Sequence, residues 1–175
     1  YMAQQDLLLP WLSVLSNVTI GARFRGTSPD QGTATALLQA VGLAGWEKAL
    51  PHQLSGGMRQ RAALARTLME NRPVVLMDEP FASVDTITRI ELQALAANLL
   101  QRCTVFLVTH DPFEALRLAH KVFILKGRPA QLEEFHVKGN VPRQIDDPEI
   151  SNQHALLLHQ LSQGRTTLQE QRRLS

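Results

Sequence analysis

Residues 73–85 read Pro-Val-Val-Leu-Met-Asp-Glu-Pro-Phe-Ala-Ser-Val-Asp and decide the fold. Within them, residues 74–77 are an unbroken apolar run that ends at Asp78 and Glu79. Such a run predicts a buried strand of a parallel sheet. Ligands of open α/β sheets bind beyond the carboxyl ends of the strands, where these two carboxylates would lie. The same pattern also ends many strands that carry no chemistry, so both interpretations stay open on this segment alone.

Carboxylates at this position suit phosphate chemistry. In phosphate-binding-loop nucleotidases, an aspartate that ends such a strand holds Mg²⁺ beside the nucleotide phosphates. A glutamate directly after it can polarise the attacking water as a general base. Asp78 is therefore a candidate metal ligand and Glu79 a candidate catalytic base.

Two further segments can bind anions. Residues 54–58, Leu-Ser-Gly-Gly-Met, open a predicted helix that runs to about residue 71. Its cap would be Ser55, and the two glycines leave the first amides uncovered, which suits an anion. His110 follows a predicted strand at 104–108 and could donate to a phosphate or contact the attacking water. A glycine-flanked helix start and a structural histidine are the alternatives.

Strands and helices alternate along the chain, which predicts an α/β fold with a largely parallel sheet. Further helices are predicted at 33–43, 86–102 and 112–119, a third strand at 122–125, and a hairpin partner for it at 131–137. Residues 138–152 are polar and contain proline, so they are interpreted as a linker. A short helix at 153–163 and a frayed end at 164–175 complete the prediction.

Composition excludes several classes of protein. The net charge of +2 comes from residues 165–175, so the rest of the chain has no basic excess of the kind a nucleic-acid binder carries. The arginines at 59–66 are interpreted as a solvated helix face.

The single cysteine, Cys103, excludes an internal disulfide and a cysteine-cluster zinc site. No apolar run approaches the roughly 18–20 residues of a membrane span. The chain begins at Tyr1, so either its start was removed or it is the later part of a longer protein.

Taken in order, these motifs resemble ATP-binding cassette (ABC) ATPase domains, over residues 1 to about 135. The pattern is residues 54–58, a strand that ends 19 residues after Met58, then Asp78-Glu79-Pro80, Asp85 and His110. The resemblance implies a P-loop NTPase fold, with a RecA-like parallel sheet and a helical subdomain, truncated at its N-terminus. It implies a partial ATPase domain at 1–137 and a linker and tail at 138–175. Within the domain, 1–72 would hold the Q-loop and helical signature subdomain, and 73–137 the Walker B to switch-histidine core.

The resemblance also implies roles for individual residues. Gln4, rather than its neighbour Gln5, matches the Q-loop glutamine and would contact both ATP and Mg²⁺. The other matches are Ser55, Gly56 and Gly57 for the signature motif, Asp78 for the Walker B metal ligand, Glu79 for the catalytic base, Asp85 for the D-loop and His110 for the switch. Met58 replaces a common glutamine. Ala82 stands where a small hydroxyl is usual, which leaves the fine tuning of the D-loop contacts open.

A cassette of this family pairs head to tail with a second copy, so the signature motif would act on ATP held by the partner. The implied partners are a transmembrane permease and, through the complex, a periplasmic or lipoprotein solute-binding protein, with no nucleic acid. The implied location is the cytoplasmic face of the cell membrane. Residues 7–18 and 77–89 resemble the nitrate, sulfonate and taurine importer branch. Within it, residues 2–11, 69–80 and 127–132 resemble ATPases for hydroxymethylpyrimidine, a thiamine precursor.

One family motif is missing from the sequence. No G-x-x-x-x-G-K-[ST] loop occurs in the 175 residues, and in the family this loop precedes the Q-loop, so it would lie upstream of Tyr1. Without its amides and lysine we expect no ATP hydrolysis by this chain alone. Two alternatives are a non-catalytic cassette remnant and a soluble DNA-repair type ABC ATPase. The second fits poorly, because only 49 residues separate Gln4 from Leu54, too few for a long coiled coil.

Overall fold

The structure is a computed structural model that describes residues 1–127 and 129–173, with side chains up to residue 162. It divides into two compact units, Tyr1–Val108 and Thr109–Ser175. Among the described residues, no helix combines the length and apolar character that a bilayer span requires.

The first unit contains five α-helices, a short 3₁₀ helix and two strands. In chain order they are α1 Val14–Val18, α2 Ile20–Phe24, α3 Gln31–Ala40, the 3₁₀ helix Pro51–Gln53, α4 Gly56–Met69, β1 Val74–Asp78, α5 Thr86–Leu99 and β2 Thr104–Val108. The helix predicted from residue 55 is confirmed, because the Ser55 hydroxyl accepts a hydrogen bond from the Met58 amide at 3.2 Å. Helix α3 begins two residues before its predicted start, because Asp30 caps it through the Thr33 amide at 2.9 Å.

Strands β1 and β2 are parallel, as predicted, in a register that runs from Val74 opposite Thr104 to Asp78 opposite Val108. On the other side of β1, Met2 forms a parallel bridge with Met77. The Met2 amide donates to the Leu76 carbonyl at 2.8 Å, and the Asp78 amide donates to the Met2 carbonyl at 2.9 Å. The N-terminal segment is thereby fixed beside the strand that ends in the acidic pair.

The prediction that β1 and β2 are buried is wrong for one face of β1 and for both faces of β2, in which no residue is buried. Successive side chains of a strand point to opposite faces. Val75 and Met77 are buried, with exposed fractions of 4% and 3%, whereas Leu76 is 48% exposed and Phe106 60% exposed. Packing therefore buries only one face of β1. The apolar run reports strand formation correctly but not the burial of both faces.

The second unit contains α6 Pro112–Leu118, β3 Val122–Lys126, β4 Gln131–Phe135 and α7 Pro148–Arg173. The start predicted for this helix at residue 112 is confirmed, because the Asp111 carboxylate caps α6 by accepting from the Phe113 amide at 2.9 Å. The hairpin is also confirmed, since β3 and β4 are antiparallel. Strands β3 and β4 form a two-stranded sheet of their own.

Residues after 137 differ from the predicted linker and frayed tail. Helix α7 begins at Pro148, where the Asp147 carboxylate accepts from the Glu149 amide at 2.9 Å. Proline suits the first position of a helix, so the pair Asp147-Pro148 starts a helix rather than ending one. Ile150 and Leu157 of α7 are buried with Leu116 of α6 in the core of this unit. The domain boundary at residue 137 stays a prediction.

Candidate functional site

The acidic pair lies where β1 ends. Asp78 is the last residue of the strand, and Glu79 leaves it with a positive φ of 44°. The Glu79 amide donates to the carbonyl of Val108, the last residue of β2, at 2.8 Å. A left-handed conformation is uncommon for a residue with a Cβ, and such conformations cluster at functional sites. The end of the sheet therefore holds Glu79 in a strained conformation.

The side chain of Gln4 reaches this pair. The Gln4 side-chain amide donates to Glu79 Oε2 at 3.1 Å. The Tyr1 hydroxyl donates to Asp78 Oδ2 at 3.3 Å. Desolvation and then the charge of Asp78 raise the pKa of the Tyr1 phenol, so the hydroxyl stays a neutral donor near pH 7. The structure thus brings together Gln4, Asp78 and Glu79, three of the predicted site residues. Tyr1 is an additional contact that the sequence did not indicate.

The residues around Asp78 fit a magnesium ion that is shared with a phosphate. Among the described residues, no group of three His, Cys, Asp or Glu side chains could hold a metal by itself. Mg²⁺ in nucleotide sites needs only one or two carboxylates, because waters and phosphate oxygens supply the other ligands. A half-buried aspartate with a glutamate and an amide beside it is a donor set of that kind.

The glycines at the start of α4 differ in what surrounds them. A Cβ on Gly57 would lie 2.7 Å from Thr88 Cγ2, whereas the nearest atoms to a Cβ on Gly56 lie at 3.9 Å. An alanine at position 57 would therefore force the Thr88 side chain to shift. Gly56 is exposed and its surroundings are open, so the first amides of α4 are accessible to an anion.

Asp85 caps α5 from the loop that follows the acidic pair. Its carboxylate accepts from the Thr88 amide at 3.1 Å. Hydrogen bonds from the Thr88 side chain and then from its backbone lower the pKa of Asp85, so this carboxylate is ionised at neutral pH. Thr88 therefore contacts both the cap of α5 and the position that Gly57 must leave empty. The predicted signature and D-loop residues meet at this one threonine.

One residue of α4 that the sequence analysis did not single out also contacts this region. Gln60 is 2% exposed, and its side-chain amide donates to the carbonyl of Pro80, the residue after Glu79. A glutamine between apolar helix positions was the available signal, because a buried amide needs a partner. This hydrogen bond attaches α4 to the chain just after the acidic pair.

His110 belongs to the second unit and is described with it. It is exposed and follows Thr109, whose hydroxyl accepts from the Asp111 amide at 3.0 Å. Thr109 also hydrogen-bonds Glu114 Oε2 at 3.2 Å. These contacts lie within the turn that carries His110 and precedes α6.

The site combines a parallel strand pair that ends in an Asp-Glu pair with an open glycine-flanked helix start. These are features of α/β domains that bind nucleotide phosphates. A family model described as ABC transporter matches residues 1–82. The chain is 40% identical over 168 residues to an uncharacterised ABC transporter ATP-binding protein of Haemophilus influenzae, covering 92% of this chain and 70% of that protein. The chain therefore belongs to the family of ABC transporter ATP-binding proteins.

Other relatives carry a more specific description. The chain is 41% identical over 173 residues to an aliphatic sulfonates import ATP-binding protein of Burkholderia lata, covering 97% of this chain and 63% of that protein. It is 39% identical over 171 residues to a protein so described from Pseudomonas syringae pv. tomato, covering 94% and 71%. The chain thus spans about two thirds of the length of these relatives.

Solved structures agree with the fold. A metal-chelate type ABC transporter in an inward-facing conformation matches with a TM-score of 0.66 and 26% identity, covering 76% of this chain and 56% of that one. A dimeric ATP-binding cassette in a post-hydrolysis state, bound to ADP and Pi, matches with a TM-score of 0.56 and 35% identity, covering 65% and 52%. The predicted fold class is confirmed.

Proposed function

We propose that this chain is part of the ATP-hydrolysing subunit of an ABC importer for a small organic solute. The observation that carries the proposal is the hydrogen bond between the Gln4 amide and Glu79 at the end of the strand that delivers Asp78. It joins the amide of one motif to the carboxylate of another, and a positioned carboxylate can act as the general base for an attacking water.

Each residue of this site has a role in the proposed hydrolysis. Asp78 would hold Mg²⁺ with Gln4, and the bound metal neutralises charge on the phosphate oxygens. Glu79 would accept a proton from the attacking water through a carboxylate oxygen. Gln4 orients that carboxylate by donating to Oε2. We assign His110 to contact with the terminal phosphate, as in the family pattern.

The signature residues would act on a second copy of the subunit. The start of α4 is open at the surface and is formed by Ser55, Gly56 and Gly57. Its backbone amides would bind the phosphates of ATP held by the partner. Asp85, the predicted D-loop residue, would lie at the same interface between the two copies. The subunit thus works as a homodimer with ATP and Mg²⁺ as cofactors.

A membrane permease is the proposed second partner. The loop after Gln4 exposes 56% of Leu7 and 71% of Trp11, apolar side chains that suit a protein contact. This loop would bind the coupling helix of the permease at the cytoplasmic face of the membrane. A solute-binding protein would join through the permease, and no nucleic acid is involved.

The transported solute is proposed at the level of a class. Relatives described as aliphatic sulfonates importers support the nitrate, sulfonate and taurine branch. Residues 2–11, 69–80 and 127–132 resemble ATPases for hydroxymethylpyrimidine, which is our specific proposal within that class. Binding of labelled hydroxymethylpyrimidine by the solute-binding protein of the complex supports it, and binding of taurine or an alkanesulfonate instead refutes it.

The subunit role is tested by co-purification. The tagged chain, expressed with the permease of its own operon, is expected to bind the permease, and W11A is expected to weaken this binding. W46F is the matched control, because Trp46 is the second tryptophan of the chain and lies outside the loop after Gln4. Absence of permease binding in the wild-type chain contradicts the importer role. Binding by a full-length form that releases no phosphate would identify a non-catalytic cassette instead.

A further inference from the structure

We propose that Arg59 and Arg66 of α4 are positioning residues that fasten residues 5–8, here called the clamp segment, to the signature helix. The two arginines lie two helical turns apart, and both reach the clamp segment with their guanidinium groups. Only the effect of these contacts on transport rests on the proposed function. The contacts themselves are present in the structure of this chain.

Arg66 holds the backbone of the clamp segment. Its two terminal nitrogens donate to the Leu7 carbonyl at 2.8 Å and the Asp6 carbonyl at 2.6 Å. Burial lowers the pKa of Arg66, while the charge of Asp6 opposes that effect, so the guanidinium is partly withdrawn from water. A planar fork that spans two carbonyls fixes orientation as well as distance.

Arg59 holds the side chain of the same segment. Its Nε donates to Asp6 Oδ2 at 3.1 Å, and Nη1 donates to the Leu54 carbonyl at 2.9 Å. The other oxygen of Asp6 accepts from the Leu8 amide at 3.0 Å. The guanidinium therefore joins the clamp segment to the residue directly before Ser55.

The arginine hydrogen bonds, rather than apolar packing, set the distance between the clamp segment and the start of α4. A cavity of about 400 Å³ separates the clamp segment from the start of α4, with Gly56, Arg59 and Ser83 on its far side. Leu7 takes a left-handed φ of 47°, which costs free energy that other contacts must offset. The consequence is that the segment after Gln4 and the signature helix move as one body. Displacement of the loop that faces the permease would then carry the signature motif with it.

Amide hydrogen exchange by NMR on the purified chain, without nucleotide, tests the clamp. The reporter is the Leu8 amide, and the internal reference is the Asp78 amide, which is bound to the Met2 carbonyl. R66M and D6N are each expected to speed exchange at Leu8 by about tenfold or more, with the reference unchanged. R66K is expected to restore part of the protection, because an ammonium can still donate to a carbonyl.

R61M is the matched control. Arg61 lies on the same helix and pairs with Glu91 at 2.9 Å, outside the clamp segment. Leu8 exchange that stays within twofold of wild type in both R66M and D6N overturns the proposal, as does an equal acceleration in R61M. Should R66M fail to fold, D6N and R66K decide the matter. The assay uses no ATP, so its outcome is separate from the success or failure of the proposed hydrolysis.

Discussion

Gln4 and Glu79 are 75 residues apart in sequence, and their side chains are joined by a hydrogen bond of 3.1 Å. The join depends on Met2, which pairs with β1 and so carries the following residues past the end of that strand. Strand pairing thus brings the two residues of the site together. The backbone conformation of Glu79 is fixed by the hydrogen bond from its amide to the carbonyl of Val108.

Gly57 and Gly56 are predicted to differ in their tolerance of alanine. In G57A the new methyl group would meet Thr88 Cγ2 at 2.7 Å, so Thr88 must shift and the cap of α5 weakens. We expect G57A to lower the free energy of unfolding by about 1–3 kcal/mol. G56A has open space and is expected to change it by no more than about 0.5 kcal/mol. Urea unfolding measures both.

The second variant in this test removes the obstructing methyl group. G57A combined with T88S is expected to recover most of the lost stability, because serine keeps the hydroxyl but lacks Cγ2. Equal stabilities for G57A and G56A would show that Thr88 does not restrict position 57.

The cap of α5 is predicted to depend on pH through Asp85. Its pKa is lowered below the ordinary value of 3.8 by hydrogen bonds from Thr88. A carboxyl with a lowered folded-state pKa contributes its stabilisation above the unfolded value and loses it as the pH falls through the folded value. D85N is therefore expected to be less stable than wild type at pH 7, with the difference shrinking below about pH 3.8. Urea midpoints across pH 7 to 3 measure this. A difference that stays constant over this range contradicts the assignment.

Asn17 is predicted to be essential for the loop that carries Trp11. It is fully buried, its side-chain oxygen accepts from the Leu9 amide at 2.7 Å, and its amide donates to the Leu9, Leu12 and Ser13 carbonyls. N17A leaves these groups without a partner and is expected to cost about 1–3 kcal/mol. N17D should cost more, since it turns a carboxylate toward carbonyl oxygens. A thermal melt ranks the two, and N17D as stable as wild type would refute the network.

Arg143 is predicted to stabilise the second unit. It is 5% exposed and donates to the carbonyls of Leu116, Ala119, Lys138 and Gly139. Burial lowers the pKa of Arg143, while the charge of Asp147 opposes that effect. R143M is expected to lower stability by at least about 2 kcal/mol, because hydrogen bonds to charged groups are worth about 1.5–3 kcal/mol each. Hydrogen exchange in α6 reports the loss, and R143K should retain part of the protection. Unchanged exchange in R143M would contradict this role.

Local signals in the sequence predicted the elements of the fold well. Ser55, Asp85 and Asp111 each cap the helix that follows, and the strand at 104–108 has the predicted limits. Capping and hydrophobic runs act within a few residues, so one sequence is enough to find them. The site motifs were assigned through their resemblance to the family pattern, and their roles stay predictions.

Contacts between distant segments could not be predicted in the same way. The arginines at 59–66 were interpreted as a solvated helix face. The Arg66 guanidinium instead donates hydrogen bonds to the carbonyls of Leu7 and Asp6. Nothing local in the sequence indicates which backbone carbonyls lie within reach of a long side chain. The start of α7 at Pro148 was missed because a proline marks helix starts and breaks alike.

Phosphate release measured on the purified chain, without and with a phosphate-loop segment of an ABC ATPase joined ahead of Tyr1, tests the central proposal most directly. We expect no turnover from the chain alone. Turnover should appear when the loop is supplied, and E79Q should abolish it. Turnover by the chain alone that disappears in E79Q would contradict the expected dependence on the phosphate loop. Turnover in the joined protein that survives E79Q would contradict the assignment of Glu79 as the catalytic base.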